Sequence, residues 1–294
     1  MAKSNEIWKA AYSDIRVQKR RTLAPAPNNN DSLNLPDADD IFQAVSCVPV
    51  QSLVNTDPQQ TIPQINAIGG VFARYLHEVQ MQGTNPDVAI YKLIRENQVL
   101  LFCQSNAANN SFRDFGARLM PGLARRGATH LVIEQPDLYS EDFSRLLLEA
   151  EKAGIKVELI STKDTEQSKL AITALVAISK ALWNPSARVI FWGGNSFLQK
   201  RINEKSLSDY LRENNIKAAS INGVSIAAEH GSHRYLLTEL ISLLDDARIV
   251  DTKKAPIISR CIYDASSSNK STLWGDFDYV YIAGKDDLVS RPKI

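Results

Sequence analysis

The stretch Val99 to Pro136, VLLFCQSNAANNSFRDFGARLMPGLARRGATHLVIEQP, leaves the chain few choices of fold. An apolar run from Val99 to Cys103 breaks into the polar segment Gln104 to Asn110. A helical pattern follows from Phe112 to Arg126, and a second apolar run, His130 to Ile133, ends at Glu134. Runs this short and this apolar suit strands buried on both faces. Two such strands joined through a helix are expected to lie adjacent and parallel, with the helix as crossover. Ligands of parallel sheets gather beyond the carboxyl ends of the strands, which puts Gln104, Asn106 and Glu134 at the edge where binding is expected.

The same alternation continues along the chain. A helix is expected over Glu141 to Ala153, with Phe143, Leu146, Leu147 and Ala150 as its apolar stripe and Gly154 ending it. Val157 to Ile160 reads as a strand, Thr165 to Trp183 as a helix stopped before Pro185, and Val189 to Trp192 as a strand entering Gly193-Gly194-Asn195-Ser196. Then come a helix over Leu207 to Asn214, a strand over Lys217 to Val224, a helix over Tyr235 to Asp245 and a strand over Phe277 to Ile282. Upstream, residues 62 to 82 and 88 to 96 carry helical patterns, the second announced by Asn85-Pro86-Asp87. The fold expected is α/β: a mainly parallel sheet of about six strands with helices on both faces, one domain over residues 41 to 294 with its core at about 85 to 285.

Residues 1 to 40 precede that domain as an arm and linker. Ile7, Trp8, Ala11, Tyr12 and Ile15 make one helical face before the basic cluster Lys19-Arg20-Arg21, and Leu23 to Asp40 is rich in Pro, Asn and Asp. Such an arm either docks on the main body or offers its basic end to a partner or a membrane surface.

Charge narrows the partners. With 34 basic and 33 acidic residues there is no global field to draw nucleic acid, so a non-specific polyanion binder is not expected. Cys47, Cys103 and Cys261 form neither a disulfide framework nor a zinc pattern, and Cys103 reads as a small buried hydrophobe. No signal-peptide core and no membrane-spanning run is visible, which gives a cytoplasmic expectation alongside export that uses no cleaved signal.

The order of elements and the wording of the Val99 to Pro136 stretch resemble the superfamily of the erythromycin esterases, the haem-binding protein ChaN and the Tiki proteases. Members of that group carry a strand ending in Gly-Glu-x-His, a later strand ending in Glu, and another running into Gly-Asn-x-His. Here Cys103, Gln104 and Asn106 occupy the first set of places, Glu134 matches the second, and Phe197 of FWGGNSFLQK stands where the later His would be. SLSDYLRENNIKAASING and FDYVYI are similar to the group's following helix, strand and closing strand, so the resemblance spans about residues 85 to 285. It implies an α/β fold with a strand-end pocket. A divalent metal or haem enters only through this resemblance, and the residues themselves call for no cofactor.

A Glu and two His at strand ends can hold a metal or relay a proton, whereas the amides of Gln104 and Asn106 can only orient a ligand. Glu134 is either a reactive or ligand-orienting carboxylate, or one paired with Arg113 or Arg118 or capping a helix. Arg113 reads most plainly as a solvated surface side chain, with an anion clamp at the helix start as the sharper alternative. Gly193 and Gly194, with Asn195, either bring backbone amides to a phosphate or carboxylate or form a plain tight turn. Glu229, His230 and His233 are weak metal candidates, since Gly231-Ser232 favours a loop. Three functions remain. One is a catalytically degenerate module (a pseudoenzyme) that binds a small polar ligand or protein partner through Gln104, Asn106, Arg113, Glu134, Gly194 and Asn195. Another is a hydrolase or transferase with a rearranged site that uses Glu134 with His230 or His233. The third is an interaction protein acting through its N-terminal arm.

Overall fold

The computed structural model describes residues 74–104, 110–134, 143–161, 167–194, 197–198, 205–223, 243–259, 262–263, 272–273 and 277–285. Residues 74–82 are helical. In chain order there follow α1 (Pro86–Glu96), β1 (Val99–Gln104), α2 (Asn110–Ala124), β2 (Ala128–Glu134), α3 (Ser144–Lys152), β3 (Lys156–Ile160), α4 (Gln167–Ala181) and β4 (Arg188–Gly194). The rest are α5 (Leu207–Glu213), β5 (Ala218–Gly223), β6 (Arg248–Asp251), the one-turn α6 (Pro256–Ser259), β7 (Ile262–Tyr263), β8 (Thr272–Leu273) and β9 (Tyr279–Ile282).

Local chemistry sets several of these boundaries. The Asn85 side chain accepts from the Val88 amide and Pro86 opens α1, so an otherwise unpaired N–H is satisfied at the first turn. Ser206 and Asp209 form a reciprocal capping box at the start of α5. Gly154 takes a φ of 75° just past α3, a conformation a side chain would resist.

The strands lie in the order β3-β2-β4-β1-β5-β9-β6, which corrects the expected adjacency of β1 and β2: the two are parallel, but β4 inserts between them. All neighbours are parallel except β6, which runs antiparallel to β9. The sheet is therefore mainly parallel with seven strands, one more than the sequence reading counted. The addition is β6, whose four residues are too few to show a period. The hairpin β7-β8 was likewise not anticipated. Of the helix expected at Tyr235 to Asp245, only residues 243–245 are described, and they are not helical. The N-terminal arm and linker lie outside the described residues.

Alternation along the central strands divides the core in two. Leu100, Phe102, Leu131, Ile133, Ile190 and Trp192 pack on one face with α1, α2 and α3, while Val99, Leu101, Val132, Val189 and Phe191 pack on the other with α4 and α5. This arrangement positions the site. β1 continues into α2 on the first face and β4 into α5 on the second, so chains leave two adjacent strands in opposite directions. Switch points of this kind are where parallel sheets bind ligands, and this one lies at the carboxyl ends of β1 and β4. Among the described residues no helix is long and apolar enough to cross a membrane.

Candidate ligand site at the strand ends

Gln104 ends β1, in register with Gly194 of β4 on one side and Gly223 of β5 on the other. Its amide is buried, at 6% exposure, and the Arg113 side chain beside it is buried to the same extent. With its oxygen turned to the guanidinium, the amide accepts from Arg113 Nε and Nη2, both at 3.1 Å. The Arg113 Cζ lies 4.3 Å from the centroid of the Phe143 ring, so the cation is also stacked on an aromatic face. The plain sequence reading of Arg113 as a solvated surface arginine is thus corrected. An isolated arginine on a helix looks solvated, but the first turn of α2 leans over the strand ends and Phe143 closes the other side.

Glu134 ends β2 and is partly buried. Its Oε2 accepts the Gly194 N–H at 2.8 Å. The pairing with Arg118 weighed from the sequence does not form, since Arg118 pairs with Asp87 at 3.2 Å. Gly194 is a hinge point of the site: it faces Gln104 across the ladder and gives its amide to Glu134. Gly193 and Gly194 belong to β4, which corrects the tight-turn reading for these two residues, while Asn195 and Ser196 lie outside the described residues. A Cβ at Gly193 would lie 2.7 Å from Phe191 Cζ and 3.2 Å from Phe197 Cδ2, so that position must stay bare for two rings to pack. Phe197 is fully buried and meets Phe191 edge-on, with centroids 5.0 Å apart. Its ring fills core on the α4–α5 face.

The remaining chemistry is sparse. Cys103 is buried and free, and burial, reinforced by the negative charge of Glu134, pushes its thiol pKa well above the ordinary value. It stays protonated and is a poor nucleophile. His130 lies far down β2, its Nδ1 2.9 Å from Thr129 Oγ1, a satisfied structural imidazole. No group of three or more His, Cys, Asp or Glu among the described residues is placed to hold a metal. Asn106, Asn195, His230 and His233 lie outside the described residues. The sequence reading overlooked Asn222, beside Cys103 in the ladder. It is fully buried, and neither its Oδ1 nor its Nδ2 has a hydrogen-bond partner among the described residues. The only signal was one amide inside the run AASING.

The strand-end edge therefore brings together Gln104, Arg113, Gly194 and Glu134. By the pleat Gln104 belongs to the α2 face and Glu134 to the α4 face, and the end of β4 lies between them. This set offers donors and acceptors for orienting a ligand. Among the described residues it holds no imidazole and no second carboxylate to share a proton with Glu134.

No protein-family description matches the chain, and no curated protein matches it. Solved structures similar to it include the type III effector HopBA1 (14% identity, 68% of this chain and 93% of that one, TM-score 0.41). Another, described as "Bacterial protein toxins", shares 14% identity over 63% of this chain and 45% of that one, at a TM-score of 0.36. The MARTX toxin effector domain RRSP from Vibrio vulnificus shares 13% identity over 87% of this chain and 48% of that one, at a TM-score of 0.35. The chain thus spans less than half the length of the second and third of these structures. Likeness of this extent assigns no family, so the site is read from its own residues.

Proposed function

We propose that the chain is a binding module of the erythromycin esterase, ChaN and Tiki type without the catalytic set, which orients a small polar ligand at the carboxyl ends of β1 and β4. The observation that carries this reading is the commitment of the strand-end groups to one another: Gln104 to Arg113, and Glu134 to the Gly194 amide. A general base must reach the proton it removes and have somewhere to pass it. A carboxylate bonded to backbone, beside a protonated thiol, supplies orientation rather than proton transfer. The amide and guanidinium suit a ligand carrying carboxylate, carboxamide or hydroxyl groups.

The test is hydrolysis of ester and peptide substrates by the full chain with Mg²⁺, Mn²⁺ or Zn²⁺ added in turn. Rates at the background level are expected with each ion. Metal-dependent turnover that Glu134→Gln abolishes would overturn the reading in favour of an active hydrolase.

A further inference from the structure

We infer that the β3 edge of the sheet is a self-association surface, on which a second copy of this chain pairs antiparallel about a two-fold axis through Val157. β3 is the first strand in the sheet order and bonds only to β2 among the described strands. An open edge presents unpaired backbone donors and acceptors and invites another strand. One of the exposed large hydrophobic side chains among the described residues, Leu159 at 51%, stands on this strand.

On α4, Ile172, Val176 and Lys180 follow at intervals of four and share one face. That face lies opposite the buried stripe of Leu170, Ala174, Ala177, Ile178 and Ala181, and from its margin Lys180 Nζ reaches to 3.6 Å from Glu158 of β3. Trp183, whose N–H bonds back to the Lys180 carbonyl, extends the row by one step. On the other face of the sheet, Leu159 projects with Val157, on the side covered by α3, which carries Leu148.

The strand's own sequence selects a second copy as the occupant. In the stretch Ile155-Lys156-Val157-Glu158-Leu159, a two-fold through Val157 sets Lys156 of each copy opposite Glu158 of the other. It also sets Ile155 opposite Leu159 and Val157 opposite itself. Every apolar pair then falls on the α3 face and both ion pairs on the α4 face. Shifting the axis to Glu158 would place the two Glu158 carboxylates against each other, which cross-strand pairing disfavours. The interface is isologous and closed, so it yields a dimer with a continuous sheet rather than a fibre.

Sedimentation equilibrium of the full chain tests this, with circular dichroism as the check that each variant folds. The wild type is expected at twice its 32.7 kDa mass. Lys156→Glu and Glu158→Lys each set like charges opposite one another twice per dimer and should weaken association about tenfold or more. Mixing these two variants restores opposite charges at both positions, so the mixture should dimerise where neither variant does alone. Lys92→Glu, the same charge change on remote α1, should leave the dimer intact. A wild type that stays monomeric into the high-micromolar range, single variants that dimerise like the wild type, or a mixture that fails to associate would each overturn the proposal.

Discussion

Replacing Arg113 by methionine tests whether the strand-end site is a bonded unit. Methionine keeps most of the apolar stem and its packing, and loses the guanidinium. Two hydrogen bonds from the cation to the Gln104 oxygen disappear, and the buried amide is left without them. Loss of hydrogen bonding from a charged group costs about 1.5–3 kcal/mol. The stack on Phe143 at 4.3 Å is lost as well, worth about 0.5–2 kcal/mol at a desolvated site. Less what the methionine stem retains, the net is about 2–4 kcal/mol. In urea, with a slope of about 3 kcal/mol/M for a chain of this size, the midpoint should fall by about 1 M. The assay is unfolding followed by tryptophan fluorescence and far-ultraviolet circular dichroism together. Gln104→Met alone should also destabilise, and the double variant should cost less than the sum by about 1–2 kcal/mol, because neither partner is then left orphaned. A solvated arginine would change stability by less than about 0.5 kcal/mol. A loss that small, or strict additivity, would refute the pairing.

Two further outcomes are expected. Gly116 sits inside α2, where alanine alone would favour the helix by about 1 kcal/mol. A Cβ there, however, would lie 2.5 Å from Trp192 Cη2. Trp192 is fully buried and packs against both Phe102 and Phe112, each with its centroid 5.0 Å away, so it has little room to give. Overpacking of about 1–3 kcal/mol then prevails, and Gly116→Ala should lower the melting temperature rather than raise it. Burial, then the charge of Lys156, lowers the pKa of His130 below its ordinary 6.5. The unfolded chain consequently binds the proton more readily, and the neutral ring's contribution is lost as the pH falls below that value. Between pH 7.5 and pH 5 the urea midpoint should drop further for the wild type than for His130→Asn, and the reverse order would contradict the shift.

Part of the site is legible in the amino-acid sequence. The apolar runs Val99 to Cys103 and His130 to Ile133 end at Gln104 and Glu134, and a parallel strand carries its last residues to the binding edge whatever its neighbours are. Arg113 was misjudged because burial of a cation depends on what comes to cover it. That cover is Phe143, thirty positions away in sequence. Asn222 escaped notice because an amide in an apolar strand carries no sequence mark of being left without partners.

The amino-acid order alone settled the kind of element at each central position, since hydrophobic period, capping boxes such as Ser206 with Asp209, and proline stops act within a few residues. It thereby settled an α/β architecture with strands buried on both faces. Only the tertiary structure decided that β4 inserts between β1 and β2. That insertion places Gly194 between Gln104 and Glu134. Strand order follows from which faces can be buried together across the whole domain, and no local pattern encodes that choice.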